Sequence, residues 1–142
     1  MNNRPTLHHV GYVVDSIEAR IEDFRTTLGA VSKSPIFEDP IQRSRVAFLT
    51  FSGENATQLE LVEPLGTDSP VARFLDRGGG LHHLCYEVDD LRYHIEKVKP
   101  KHAVLVCPPH PAVAFGGRRI AWVVGPGSLL VEYLERQPSP QG

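Results

Sequence analysis

Two stretches of the chain place apolar and polar residues as a half-buried β-strand does. Residues 7–15 read Leu-His-His-Val-Gly-Tyr-Val-Val-Asp, and residues 81–89 read Leu-His-His-Leu-Cys-Tyr-Glu-Val-Asp. Both stretches are rich in β-branched and aromatic residues and end at an acidic residue, which is typical of a strand that leads into a turn or a helix. The pattern therefore predicts the same element twice.

Each predicted strand is followed by residues with helical periodicity. Asp15 is a good N-cap for the first helix, with Glu18 at the capping-box spacing, and Asp89 or Asp90 takes the same place in the second. The apolar residues at helical spacing are Ile17, Ile21 and Phe24 in the first stretch and Leu91, Ile95 and Val98 in the second. We therefore expect an amphipathic helix after each strand.

Three short strands are expected after each helix, which gives both halves the plan βαβββ. The expected strands span about 30–37, 43–52 and 56–63 in the first half and 102–108, 117–124 and 128–135 in the second. A linker helix is expected over 65–78, because Ser69 and Pro70 are typical of a helix start. We therefore predict an α+β fold, a single domain over 1–142 composed of module 6–64, linker helix 65–78 and module 79–136.

The two modules are related by a constant offset of 74 residues. The offset relates His9 to His83, and without any gap it carries Gln58 onto Glu132. Further matches are residues 21–22 with 95–96 and residues 45–49 with 119–123. Agreement at several separate places indicates an internal duplication rather than chance.

Composition excludes several classes of function. The chain has 15 Lys and Arg against 17 Asp and Glu, a net charge of −2, and no basic stripe, so we expect no nucleic-acid partner. The longest apolar runs, such as residues 120–124, are too short to span a membrane, and the first residues lack the apolar core of a signal peptide. With only Cys85 and Cys107, no disulfide framework is expected. We therefore predict a cytoplasmic protein that does not bind membranes.

Candidate metal ligands recur at equivalent positions of the two modules. His9 lies on one face of the first strand, and the repeat places His83 on the equivalent face. Gln58 and Glu132 are polar residues within apolar strands, and buried polar groups need partners. Taken singly, such residues are usually structural. If the halves pair about a pseudo-twofold axis, two imidazoles, an amide oxygen and a carboxylate converge into a site for a divalent transition metal.

This combination resembles the vicinal oxygen chelate (glyoxalase/bleomycin-resistance) superfamily. Residues 58–75, Gln-Leu-Glu-Leu-Val-Glu-Pro-Leu-Gly-Thr-Asp-Ser-Pro-Val-Ala-Arg-Phe-Leu, with Gly-Leu-His-His at 80–83, most resemble its methylmalonyl-CoA epimerases. The resemblance covers about residues 6–136. It implies that the two modules form a cup-shaped mixed sheet around a metal site. The metal ligands that it implies are His9, Gln58, His83 and Glu132.

The resemblance also implies a metal-dependent isomerase that enolises an acyl-CoA thioester. A metal on the thioester oxygen would stabilise the enolate, while acid and base groups move the C2 proton. We assign Glu132 a catalytic role besides ligation, and Arg118 the binding of a substrate carboxylate or phosphate. The cofactor is expected to be divalent Co, Mn, Ni, Zn or Fe, which the ligand types do not distinguish. By analogy with the superfamily we expect a homodimer.

One position departs from the epimerase pattern. The glutamate that these epimerases carry on the loop before the third strand falls on Ile41, which cannot transfer a proton. Glu38, Asp39 and Gln42 lie nearby, and His110 is either a proton carrier or an ordinary loop histidine. Two other functions therefore stay open. The first is a lyase, isomerase or dioxygenase of this superfamily with a different small substrate, and the second is a metal-free small-molecule binding or resistance protein.

Overall fold

The computed structural model describes residues 4–53 and 56–137 of the chain. Within these residues no helix is long and apolar enough to cross a membrane. The predicted single domain over 1–142 also includes residues 1–3, 54–55 and 138–142, which lie outside the described residues. Its module boundaries stay a prediction.

The chain divides into two compact units, each of which contains one copy of the repeat. The first unit is His9–His82. The second unit joins residues 4–8 to residues 83–137 of the described chain. Each unit follows the order strand, helix and then further strands, so the predicted α+β class and tandem βαβββ arrangement are confirmed.

Five strands of the described residues form the sheet of the first unit. They are β1 (Thr6–Val13, of which His9–Val13 belong to this unit), β2 (Ser32–Lys33), β3 (Phe37–Asp39), β4 (Ser44–Thr50) and β5 (Gln58–Pro64). β1 is parallel to β5, and β4 pairs antiparallel with β5, β2 and β3. The strand expected over 30–37 is therefore two short pieces. Pro35 lies between them, and proline has no N–H to donate to a ladder.

The first helix, α1 (Ile17–Leu28), begins one residue later than the capping pattern predicts. Ser16 is the N-cap, and its side chain accepts a hydrogen bond from the first turn of the helix. Asp15 instead binds Arg20 through two hydrogen bonds, which lower the pKa of Asp15 to about 2. The helix ends at Gly29 in the left-handed conformation, which glycine adopts without strain. A short helix α2 (Ala72–Asp76) lies within the predicted linker.

The second unit repeats this arrangement with longer strands. Its elements are β6 (Gly80–Val88, of which His83–Val88 belong to this unit), α3 (Leu91–Val98), β7 (Val104–Pro111), β8 (Arg119–Val124) and β9 (Leu130–Glu135). β6 is parallel to β9, while β8 pairs antiparallel with both β9 and β7. Asp90 caps α3 by accepting a hydrogen bond from the Tyr93 N–H, as one of the two predicted caps.

The hydrophobic core of each unit lies between its sheet and its long helix. In the first unit Ile17 and Ile21 pack with buried strand residues such as Leu61. In the second unit Leu91 and Ile95 pack in the same way against β8 and β9. Each such aliphatic side chain contributes about 1.5–3 kcal/mol when fully buried. Because strand residues alternate between faces, the opposite face of each sheet remains for the candidate site.

Candidate active site

The first unit brings a histidine, an aromatic ring and a glutamate together on the sheet face opposite α1. His9 is fully buried, and its Nε2 lies 3.3 Å from Oε1 of buried Glu60. The Phe48 ring contacts the imidazole edge to face, with ring centroids 5.4 Å apart. These residues come from β1, β4 and β5, and we call them the first trio. The aromatic contact restricts the orientation of the imidazole.

The second unit contains an equivalent set, which we call the second trio. His83 and Glu132 are both buried, and His83 Nε2 lies 3.5 Å from Glu132 Oε1. The Trp122 ring contacts the imidazole edge to face at 4.7 Å between centroids. In both units a histidine therefore lies on the first strand, an aromatic residue on the next-to-last strand and a glutamate on the last strand.

Strand register shows which residues of the two trios correspond. Phe48 pairs with Glu60 in the first unit, and Trp122 pairs with Glu132 in the second. The sequence offset of 74 relates Phe48 to Trp122, but it does not relate Glu60 to Glu132. The β4–β5 connection is two residues longer than the β8–β9 connection, as the pairs Leu49–Leu59 and Val123–Val131 show. An ungapped repeat therefore misses Glu60.

Gln58, the residue predicted from the ungapped repeat, lies two residues before Glu60 on β5. It is the register partner of His9 on β5 and is half-buried. Residues paired across parallel strands share a sheet face, so Gln58, Glu60 and His9 lie on the same face. The role of Gln58 as a ligand stays a prediction, beside a glutamate that the sequence had not singled out.

The other histidine of each His-His pair has a different environment. His8 contacts the ring of Phe115 edge to face at 5.5 Å between centroids. His82 contacts Phe74 in the same way at 4.8 Å. Both are only half-buried, whereas His9 and His83 are buried. The alternation of the strand therefore separates one packing histidine from one candidate ligand in each pair.

The residue types of the two trios fit a divalent metal ion. Imidazole nitrogens and carboxylate oxygens are the donors that Zn, Fe, Mn, Co and Ni accept in proteins. In each trio a nitrogen and an oxygen donor already face each other at close range, and both are shielded from bulk water. Such side chains could hold a metal ion.

Arg118, the predicted substrate-binding residue, lies on the second unit in an ordered network. Its Nη2 donates to Glu87 Oε2 at 2.7 Å, and its Nε donates to the Glu135 backbone carbonyl at 2.9 Å. These bonds fix the guanidinium plane, and a guanidinium has five N–H donors in all. The substrate-binding role of Arg118 stays a prediction.

Ile41 stands at the position of the epimerase glutamate, and its side chain cannot transfer a proton. Ile41 is 62% exposed. Buried Asp39 accepts hydrogen bonds from the backbone N–H groups of Ile41 and Gln42 and from the Gln42 side chain. Asp39 therefore shapes the turn. Glu38 lies at the exposed side, with its carboxylate 3.6 Å from Arg45.

Comparison with known proteins agrees with this geometry. The profile of the Glyoxalase/Bleomycin resistance protein/Dioxygenase superfamily matches residues 8–122. The Ethylmalonyl-CoA/methylmalonyl-CoA epimerase of Cereibacter sphaeroides is 34% identical over 119 residues, which is 82% of this chain and 86% of that protein.

Solved structures show the same similarity. The methylmalonyl-CoA epimerase of Mycobacterium tuberculosis superimposes with a TM-score of 0.81 at 30% identity, covering 94% of this chain and 89% of that one. A methylmalonyl-CoA epimerase in complex with methylmalonyl-CoA and NH4+ gives a TM-score of 0.77 at 25% identity, covering 92% and 94%.

These findings confirm the resemblance that the sequence motifs indicated. Relatives and structural neighbours that are epimerases support an epimerase-like function, and the predicted enzyme class, an isomerase, is confirmed. The matched profile spans both trios except for Glu132 at the last strand. The chain belongs to the Glyoxalase/Bleomycin resistance protein/Dioxygenase superfamily.

Proposed function

We propose that this chain is a metal-dependent isomerase that epimerises methylmalonyl-CoA or a closely related acyl-CoA by enolising it at C2. The observation that carries the proposal is the duplicated trio, a buried histidine facing a buried glutamate in each unit. The relatives named as epimerases of such thioesters support the substrate class. Both trios together would hold one divalent metal ion per chain.

His9, His83 and Glu132 are three of the proposed ligands. For the fourth position the ungapped repeat favours Gln58, whereas the 3.3 Å approach to His9 favours Glu60. Glu60 is also the register equivalent of Glu132, because each pairs with the aromatic residue of its own trio. We therefore propose Glu60 as the fourth ligand and Gln58 as its neighbour. The metal would be Co, Mn, Ni, Zn or Fe.

The proposed chemistry needs a stabilised enolate and groups that move a proton. When bound, the metal ion would supply Lewis-acid stabilisation of the negative charge on the thioester oxygen. Glu132 would keep one oxygen for ligation and exchange a proton with C2 through the other. Phe48 and Trp122 hold the imidazoles in place and exclude water from them. Arg118 would bind a carboxylate or phosphate of the acyl-CoA.

Deuterium exchange tests the proposal. Methylmalonyl-CoA in D2O should lose its C2 proton in proton NMR when the metal-loaded protein is added. His9→Ala and His83→Ala should abolish the exchange, whereas His8→Ala and His82→Ala, which alter only the neighbouring packing histidines, should retain it. Absence of exchange by the fully loaded wild type, beyond a control with metal alone, would exclude this substrate.

A second candidate function is favoured by Ile41. Because this residue cannot transfer a proton and is 62% exposed, the chain could act on a different small substrate as another lyase, isomerase or dioxygenase of the superfamily. A series of acyl-CoA thioesters with different C2 substituents would separate the two. Exchange with one member but not with methylmalonyl-CoA would assign the other substrate. A metal-free binding or resistance protein would take up no metal at all.

We also propose that the protein acts in the cytoplasm as a homodimer. No disulfide joins Cys85 and Cys107, which suits a reducing compartment. Fractionation of the native host cells would test the compartment. Sedimentation equilibrium would test the assembly, and a mass of one chain at micromolar concentration would contradict the dimer.

A further inference from the structure

Gly11 lies in the interior of β1, on the sheet face that carries the first trio. It is two residues from His9 along the strand, and it pairs with Glu60 across the parallel ladder. Residues two apart on a strand, and residues that pair across a ladder, share a sheet face. A side chain at residue 11 would therefore stand beside both His9 and Glu60, and glycine supplies none.

The backbone conformation does not account for this glycine. The register between β1 and β5 runs without a shift through the Gly11–Glu60 pair, so Gly11 marks no bulge. Gly79, in contrast, has φ of 69°, and an added Cβ there would lie 2.7 Å from the Val13 carbonyl oxygen. A glycine within a regular strand weakens the strand, and it commonly marks a place where a ligand or another backbone approaches closely.

The equivalent position of the second unit carries a side chain. Cys85 lies 74 residues after Gly11, and it pairs with Glu132 as Gly11 pairs with Glu60. Cys85 is fully buried and belongs to an apolar cluster that includes Ile120. The same ladder position is therefore filled by a side chain in the second unit and left without one in the first.

The difference in side-chain size extends to the neighbouring positions of this face. Equivalence follows from the offset of 74 and from the pairing of Val46 with Val62 and of Ile120 with Leu134. The smaller residue belongs to the first unit in each of these pairs: Gly11 and Cys85, Val46 and Ile120, Phe48 and Trp122, Val62 and Leu134. The side chains of the first unit therefore occupy less volume on this face.

The proposed reaction identifies the group that this difference would accommodate. C2 of an acyl-CoA is two bonds from the thioester oxygen, so a substituent on C2 lies close to the side chains that hold the metal ion. Gly11 adjoins two of the proposed ligands, His9 and Glu60. Beyond Gly11 the same face of β1 continues with Val13, which is buried. A short alkyl group is favoured in such apolar surroundings because it leaves water there.

We propose that the alkyl substituent on C2 lies against Gly11 and that this glycine sets the largest substituent that the chain accepts, an inference that rests on the proposed function. Methyl and ethyl substituents would both fit, because no side chain stands beside Glu60. A Cβ at residue 11 would take the space of the outermost carbon. The longer substituent is therefore lost first when this position is enlarged.

Binding of thioesters that do not turn over tests the inference. Propionyl-CoA and butyryl-CoA carry a methyl and an ethyl group on C2, and isothermal titration calorimetry gives the Kd of each for the metal-loaded protein. Gly11→Ala should weaken butyryl-CoA at least about tenfold relative to propionyl-CoA, and Gly11→Cys should weaken it further. Cys85→Ala is the matched change at the equivalent position and should leave the ratio of the two Kd values unchanged.

The exchange reaction gives a second measure of the same selectivity. In D2O, Gly11→Ala should lower kcat/KM for ethylmalonyl-CoA at least about tenfold more than that for methylmalonyl-CoA. Equal weakening of both thioesters, with metal content and fold intact, would overturn the inference. A change of the ratio in Cys85→Ala but not in Gly11→Ala would place the substituent on the second unit and would also overturn it.

A measurement on the wild type does not depend on whether the variants fold. The amide signal of Gly11 in nitrogen–proton NMR should shift more on addition of butyryl-CoA than of propionyl-CoA, and an unmoved signal would contradict the inference. Failure of the proposed function gives a different result. A wild type whose thioester selectivity is abolished by Gly11→Ala, but which exchanges no C2 proton, would support the binding inference and refute the reaction. A wild type that binds neither thioester would refute both.

Discussion

The two units of this chain share a framework but differ in the acid–base groups placed on it. Both orient a buried histidine against an aromatic ring and a glutamate. Both also use a glutamate at the end of the last strand to accept the first N–H of the helix, Glu63 for α1 and Glu135 for α3. Duplication has therefore retained the elements that position ligands and start helices.

The differences lie at equivalent positions of the two units that carry residues of different chemistry. His110 pairs with Ile120 on β8, whereas in the first unit Phe37 pairs with Val46, the residue 74 positions before Ile120. His94 of α3 stands, by the offset of 74, where α1 has Arg20. His94 is buried against Tyr133, whereas Arg20 is exposed and pairs with Asp15.

The largest expected effect comes from removing the proposed ligand in the first trio. Glu60→Ala should lower the C2 exchange rate and the metal content together, the rate by at least about 100-fold, because a ligand is lost. Gln58→Ala is the matched control on the same strand face and should retain the metal by elemental analysis. Loss of metal in Gln58→Ala with retention in Glu60→Ala would show that the ungapped repeat had identified the correct ligand.

The next effect concerns Glu63 and Glu135, whose carboxylates accept hydrogen bonds from the first N–H of α1 and α3. Glu135→Gln and Glu63→Gln should each lower the free energy of unfolding in urea by about 1–2 kcal/mol, because a charged acceptor at a helix N-terminus is lost. Burial acts to raise the pKa of Glu135, but hydrogen bonds from Arg119 and the Leu91 N–H outweigh it and lower this pKa. The stability that Glu135 contributes is present above pH 4.5 and is lost as the pH falls through its folded-state pKa. The difference between wild type and Glu135→Gln should therefore shrink in acid, and a difference that grows there would contradict the assignment.

A smaller effect concerns the pH dependence of the free energy of unfolding, to which His94 of α3 contributes. Burial lowers the pKa of His94, with nearby Lys97 adding to the effect, so the unfolded chain binds this proton more readily. The free energy of unfolding should therefore decrease as the pH falls below 6.5, the ordinary histidine value, by at most about 1.4 kcal/mol per pH unit. His94→Phe should reduce this slope between pH 7 and 5, measured by urea titration. An unchanged slope would show that other groups produce it.

The smallest effect concerns helix ends. α1 ends at Gly29 with φ of 73°, and the turn after α3 ends at His102 with φ of 74°. Glycine adopts this left-handed conformation without the strain of a side chain, so His102→Gly should raise the free energy of unfolding by up to about 1 kcal/mol. Gly29→Ala should lower it by a similar amount. Thermal denaturation would detect both, and a destabilised His102→Gly would mean that its side chain makes a net favourable contribution.

The duplication, the fold class and three residues of the two trios, His9, His83 and Glu132, could be read from the sequence because similar motifs recur at a fixed offset. The offset alone did not identify Glu60. An ungapped comparison cannot detect that the β4–β5 connection is two residues longer, and only strand pairing reveals it. Helix α1 shows a similar limit, because Asp15 and Ser16 are both good caps and the choice depends on the Asp15–Arg20 ion pair.

The orientation of His110 depended on tertiary structure in another way. Its sequence neighbourhood is rich in proline and predicts a loop, yet these residues form part of β7. The register shift that places Cys107 and His110 on the same sheet face follows from pairing with β8. Period-two alternation cannot be applied across such a shift, so the face of His110 was not predictable from the sequence.

The most direct test of the central claim is the metal stoichiometry of the chain by native mass spectrometry, because we propose that the two trios hold one ion between them. The wild type should bind one divalent metal per chain. His9→Ala and His83→Ala should each lose it completely, although the substitutions lie in different units, and His8→Ala should retain it. Two metals in the wild type, or loss in only one of the two variants, would contradict a shared site.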